Sequence, residues 1–344
     1  MKPLLNTLYV TSQGSYLSRD GETVSVRHED EVKLRVPIHT LSGIVCFGQV
    51  SCSSFLMNLA AESGVGISFL TEHGRFLARV HGPVSGNVLL RRAQYRASDS
   101  EQSSALVASS VVVAKIANCR TVILRAARER DNDAPETAEL DRAALRLARI
   151  CEDVQRTPSL DSIRGHEGDA ARVYFSVFDH LITAEKEQFS FRGRSRRPPL
   201  DRTNALLSFV YTLLTHDIAG ALEGVGLDPA VGYLHRDRPG RTSLALDLAE
   251  ELRPVLADRL VLSLINRRQV GVDGFRKQET GGIVMDDETR KLVLIAWQKR
   301  KQEEILHPFL EERAPFGLIP HLQATLLARF LRGDLEAYPC FLWR

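Results

Sequence analysis

Asp247 and Glu250 lie three residues apart in a stretch whose other positions are mainly apolar: Leu244, Ala245, Leu246, Leu248, Ala249 and Leu252. At about 100° per residue those positions run nearly all the way round a helix, which is the pattern of a buried one. The two acids share one face of it. A buried carboxylate costs several kcal/mol unless it is paired or ligates a cation. His235 lies just upstream, and the turn signal Pro239-Gly240 can fold it back onto a helix that Thr242 or Ser243 caps. Imidazole and carboxylates around a divalent cation would offset the burial. A helix salt-bridged within itself, with Asp247 paired to Arg241 or Arg253, would do so equally. Spacing alone leaves both open.

A third acid stands in Gly165-His166-Glu167-Gly168-Asp169-Ala170-Ala171, which reads as the start of a helix. Gly168 and Ala171 are small enough for another backbone to approach closely, so Glu167 would sit in a crevice between helices. The alternative is a first-turn glutamate favoured by the helix dipole.

These residues need elements to hold them. The first 80 or so positions alternate short β-type runs with turn signals, over 8–11, 15–17, 23–26, 32–36 and 44–47. A short helix over 54–62 follows, then a hairpin of 66–70 and 76–80 around His73-Gly74. Beyond 82 the apolar period becomes helical, over 105–128, 138–155, 170–183, 204–222, 244–266, 288–306 and 322–331. Residues 267–285, with four glycines, form an irregular excursion. The expected fold class is α+β. A small β-sandwich-like domain with one inserted helix spans 1–82, a linker 83–88, and a mostly α-helical catalytic domain 89–344. The 344 residues suit two domains. No apolar run approaches the roughly 18 residues that span a bilayer. Five cysteines without a CxxC pair point to a reduced, cytoplasmic protein lacking a cysteine-bound zinc. The net charge of +2 neither favours nor excludes a polyanionic partner.

Taken together, the segments resemble the CRISPR-associated integrase, the universal metal-dependent endonuclease/integrase of spacer acquisition. The resemblance covers the whole chain. It rests on Gly165-His166-Glu167-Gly168 with Ala170-Ala171 and Tyr174-Phe175, on Gly232-Tyr233-Leu234-His235, and on Gly240-Arg241-Ser243-Leu244-Ala245 leading into Asp247, Glu250 and Pro254. Each motif is weakly specific alone, and the three in this order are strongly so. The ending Tyr338-Pro339-Cys340-Phe341-Leu342-Trp343 looks like the subtype I-C branch. The resemblance implies that Glu167, His235 and Glu250 bind a catalytic Mg²⁺ or Mn²⁺, with Asp247 in support. Glu250 departs modestly from relatives that carry aspartate there. Glu251 points about 100° away and is left out. It also implies double-stranded DNA (prespacer and CRISPR repeat) as substrate, a homodimer joined through the β domain, a small ferredoxin-like partner, and no membrane. A DNA 3′-hydroxyl would attack a repeat phosphodiester; with water instead, the same site would cut DNA.

Arg192, Arg194, Arg196 and Arg197 make the densest basic loop and suit phosphate contacts, although a solvated loop has the same composition. Asn204 reads as a helix cap that the resemblance places near the site. Arg241 belongs to the family pattern and could hold a phosphate with Arg236 and Arg238. Arg91, Arg92, Arg96, Lys115, Arg120 and Arg125 form a looser basic set, some of it only solvating helix faces. His73, His81, His180, His216 and His307 fit no ligand spacing, and Trp297 reads as core. Two rivals stay in view: a structure-selective metal-dependent repair nuclease, and a non-catalytic DNA-binding scaffold whose acids are merely salt-bridged.

Overall fold

The computed structural model describes residues 6–72, 76–80, 88–130 and 134–343. The turn at His73-Gly74, His81 and linker positions 83–87 lie outside them. The chain divides into two compact units, Met1–Gly86 with Met285–Glu303, and Asn87–Val284 with Glu304–Arg344.

The first unit holds β1 (Thr7–Val10), β2 (Tyr16–Asp20), β3 (Thr23–His28), β4 (Glu31–Pro37), β5 (Gly43–Phe47), β6 (Ser51–Cys52), α1 (Ser54–Glu62), β7 (Gly66–Leu70) and β8 (Phe76–Val80). They form two four-stranded sheets, ordered β1-β5-β7-β8 and β4-β3-β2-β6. Alternating residues turn inward from both sheets, among them Leu17, Val24, Val26, Ile44, Cys46 and Ile67. With Leu56 and Leu59 of α1 they close one apolar core. The Ser53 hydroxyl accepts from Leu56 N at 3.2 Å and starts α1. Between residues 6 and 80 every expected strand is present, and among the described residues of that stretch the two-residue β6 is additional.

The remaining helices are α2 (Val88–Asp99), α3 (Glu101–Arg128), α4 (Pro135–Arg156), α5 (Leu160–Ser176), α6 (Arg202–Val225), α7 (Ser243–Leu252), α8 (Arg259–Asn266), α9 (Asp287–Gln302) and α10 (Ile319–Leu331). Three differ from expectation. α5 begins ten residues before position 170, at Leu160, so Gly165 and Gly168 are inside the helix. An interior glycine costs only about 1 kcal/mol, which the buried stripe Ile163, Ala170, Val173 and Tyr174 outweighs. The continuous helix expected over 244–266 is broken by a π-helical stretch, Arg253–Asp258, because Pro254 has no N–H to donate. α9 groups with the first unit rather than with the helical domain expected to run from 89 to 344. Gln298 Nε2 donates to Thr7 O at 2.9 Å, tying that helix to β1.

α3 and α6 are long and apolar enough to cross a membrane by length and composition, contrary to the sequence expectation. Their apolar windows are 61% and 56% buried, and α3 buries Lys115 and Asn118 with them, which makes both core helices.

Candidate active site

Four stretches of the helical unit meet here: α3, α5, the segment before α7, and α7 itself. All of α7 is buried except Leu246, as its apolar pattern requires. Asp247 is 0% and Glu250 3% exposed. Their compensation takes two different forms.

Asp247 holds a loop. Its Oδ2 accepts from Tyr233 N at 2.6 Å and Leu234 N at 3.0 Å. Its Oδ1 accepts from His235 N at 2.9 Å and lies 2.7 Å from His235 Nδ1. A carboxylate can only accept, so Nδ1 carries the proton and Nε2 presents its lone pair outward. Gly232 makes this approach feasible: a Cβ there would stand 2.7 Å from Ser243 Cβ and 3.0 Å from Asp247 Oδ2. Arg164 Nε donates to Leu234 O at 2.7 Å, and buried Gln94 donates to Asp228 O and Val231 O. The turn at Gly240 takes φ +72°, as its glycine predicts. Neither Arg241 nor Arg253 pairs with Asp247; Thr242 occupies the α7 cap position without a side-chain bond.

Glu250 is compensated by cations. Lys115 Nζ stands 2.7 Å from its Oε2 and also hydrogen-bonds Glu167 Oε1. Arg253 pairs with Glu250 Oε1, and His235 Nε2 lies 3.9 Å from that oxygen. Burial would raise the Glu250 carboxyl, but Arg253 and Lys115 together hold it below the usual carboxylate range. Burial would likewise depress the Lys115 ammonium; Glu250 and Glu167 outweigh it and hold the group above its ordinary value.

Glu167 and Glu250 are thus brought together from distant parts of the chain by the Lys115 ammonium, and His235 Nε2 stands 3.9 Å from the other oxygen of Glu250. Lys115, only 9% exposed, is the residue that sequence reasoning misplaced among surface cations. The signal was available: a lone lysine inside Val111-Val112-Val113-Ala114-Lys115-Ile116 of a core helix has to find an acid. Gly165 and Gly168 do not seat a neighbouring backbone, since a Cβ at either would meet nothing within 4 Å. The surface beside Glu167 is open instead.

Glu167 and His235 border an open cleft of about 390 Å³ that Asp161, Arg164, Leu234, Arg236, Arg238 and Arg241 complete. Burial and the neighbouring Arg238 lower the Arg241 guanidinium, with Asp247 opposing. A cleft this rich in guanidinium groups suits a phosphodiester.

The basic loop divides. Arg192, Arg196 and Arg197 are exposed. Arg194 instead turns inward, with NH1 2.6 Å from both Ser195 O and Asn204 Oδ1, and its guanidinium lies over the Tyr211 ring at 5.1 Å. Asn204 is fully buried, accepts from Ser195 N at 3.1 Å and donates to Gly193 O at 2.8 Å. The α6 cap is Asp201. Arg194 and Asn204 therefore hold the loop through internal hydrogen bonds. Arg253 covers Tyr211 at 4.9 Å. Asp258 accepts from Tyr211 at 2.6 Å and from Tyr174 at 3.0 Å, and burial still pushes its carboxyl up to about 6. His180 pairs with Glu139, and buried His307 with Gln323.

Among the described residues, no three His, Cys, Asp or Glu side chains stand in metal-ligand geometry. The donor set nevertheless fits a divalent cation. Glu250 faces an imidazole that takes the Asp247 bond on Nδ1 and not on Nε2, and Lys115 places a positive charge between Glu250 and Glu167.

The family model described as "CRISPR associated protein Cas1" matches residues 8–299. "CRISPR-associated endonuclease Cas1 1" of Chlorobaculum tepidum is 55% identical over 347 residues, covering 100% of both chains. Among solved structures, a casposase bound to integration product superimposes with TM-score 0.84 at 20% identity, over 98% of this chain and 94% of that one. The Cas6-RT-Cas1–Cas2 complex matches with TM-score 0.82 at 22% identity, over 98% of this chain and 36% of its own.

Proposed function

The chain belongs to the CRISPR-associated Cas1 family, and from that premise we propose that it is a divalent-metal-dependent integrase and endonuclease inserting DNA fragments into a CRISPR array. The observation that carries the chemistry is that Glu250 meets Glu167 through Lys115 and has His235 Nε2 3.9 Å from its other oxygen. Glu167, His235 through Nε2, and Glu250 would hold Mg²⁺ or Mn²⁺. Such a cation, when bound, lowers the pKa of an attacking hydroxyl and offsets charge on the phosphoryl oxygens.

The protein's own groups do the rest. Asp247 fixes the histidine tautomer and ring position through four bonds to the loop. Arg238 and Arg241 hold the target phosphate in the cleft, and Arg164 anchors the Leu234 carbonyl beside it. Exposed Arg192, Arg196 and Arg197 contact flanking phosphates without reading sequence. The 3′-hydroxyl of the incoming strand attacks a repeat phosphodiester and the repeat strand's own 3′-oxygen leaves, so no covalent enzyme intermediate is needed.

The protein acts as a homodimer through its β unit, with a small ferredoxin-like partner setting the distance between two integration events. It works in the reducing cytoplasm, in keeping with five free cysteines. Its C-terminal sequence is that of the subtype I-C branch.

The test supplies a prespacer with free 3′-hydroxyls and a supercoiled repeat-bearing plasmid. Joined product that requires Mg²⁺ or Mn²⁺ and disappears with E167A, H235A or E250A is expected. Metal-dependent cutting without joining would instead identify a repair nuclease. DNA binding with neither reaction would identify a scaffold.

A further inference from the structure

Lys115 is a charged side chain in the most buried part of the helical unit, and its position is specific. The side chain crosses from α3 to reach both Glu167 on α5 and Glu250 on α7. Arg253 takes the other oxygen of Glu250, so the two carboxylates and two cations form a closed array. Two carboxylates brought this close in a desolvated site would repel each other strongly without a positive charge between them. A divalent cation bound by those carboxylates would occupy the same space as the Lys115 ammonium.

We propose that Lys115 is a built-in counter-cation that holds Glu167 and Glu250 in register in the metal-free protein, and that divalent metal binds only by displacing it. Lys115 thereby sets the metal affinity of the site. This rests on the reading of Glu167 and Glu250 as metal ligands. Lys115 is a positioning residue, not a DNA contact: it is 9% exposed and both its partners are protein carboxylates. Its unbranched four-carbon stem can move the ammonium aside by rotation about its own torsions, with no shift of α3. The arrangement keeps the acids assembled at low metal concentration, at the cost of weaker binding.

Calorimetric titration with Mn²⁺ alone tests this, on the full chain without DNA. Wild type should bind one equivalent at this site, and E250Q should lose it. K115Q removes the competing charge and should bind about tenfold tighter, about 1.4 kcal/mol. Its metal-free melting temperature should fall by about 5 °C, with a larger rise on adding Mn²⁺ than wild type shows. K115R keeps the charge and should bind no tighter than wild type, which separates loss of charge from loss of the native side chain. Unchanged or weaker Mn²⁺ binding by K115Q, or equal tightening by K115R, would overturn the role of Lys115 while leaving the metal site standing. Wild type binding no Mn²⁺ would instead remove the reading on which the role rests.

Discussion

Glu250 and Glu251 are adjacent on α7, both are buried, and their surroundings are opposite. Glu250 faces two cations, Lys115 and Arg253, with His235 Nε2 3.9 Å away. Glu251, on the other side of the helix, faces neutral donors. Tyr338 donates from its hydroxyl at 2.5 Å, Phe341 from its backbone N at 2.7 Å, and Gln323 from Nε2 at 3.3 Å. Cations hold the first carboxyl below its ordinary range. Burial pushes the second up to about 7, despite those hydrogen bonds. One side of α7 thus keeps a negative charge between cations. The other uses a carboxyl to fasten the C-terminal segment, which Asn118 of α3 also grips through Phe341 O at 2.8 Å. Burial by itself does not mark a functional acid; the charge of the groups around it does.

The comparison can be broken most sharply by paired substitution. E250Q should reduce strand joining roughly a thousandfold with DNA binding retained, whereas E251Q should leave the joining rate near wild type. Equal losses in a joining assay would erase the distinction.

G232A comes next. It forces a methyl group against Ser243 and Asp247, displacing the loop that brings His235 to the Glu250 side. Joining should fall roughly 10–100-fold, with Mn²⁺ affinity falling alongside it and the far-ultraviolet circular dichroism unchanged.

The two glutamates should also give opposite pH dependences of stability. Between the ordinary 4.5 and about 7 the folded chain keeps a Glu251 proton that the unfolded chain has lost. Stability from this group is therefore full below pH 4.5, falls as pH rises, and levels off above about 7, about 3 kcal/mol in all at about 1.4 per pKa unit. Glu250 contributes above 4.5 and loses its contribution as pH falls through its lowered value. Urea unfolding at pH 5 and pH 8 should show that E251Q flattens the decline and E250Q does not.

The smallest effects belong to the basic loop. R194A should cost roughly 1–2 kcal/mol of stability by removing the cation from Tyr211. R196A should cost almost none and lower the slope of log affinity against log salt by about 0.9.

The β unit was legible because inward and outward residues alternate at period two between glycine and proline breaks. Only β6, two residues long, carries too little pattern to detect. The acids and histidine of the site were legible through their motifs. Lys115 was harder to place, because its partner Glu167 is 52 residues away and Arg120 and Arg125 follow it on the same helix. Arg194 was not legible, because nothing in a run of four arginines says which one folds under. Glycines 165 and 168 misled in the other direction: they resemble a helix start, yet the apolar stripe through Ile163 and Val173 carries α5 past them.

The central claim is most directly tested by manganese-soaked crystals and an anomalous difference map. The account predicts one strong peak within bonding distance of Glu167, His235 Nε2 and Glu250, with the Lys115 ammonium moved out from between the carboxylates. A map without a peak there, with Lys115 still bridging Glu167 and Glu250, would contradict it.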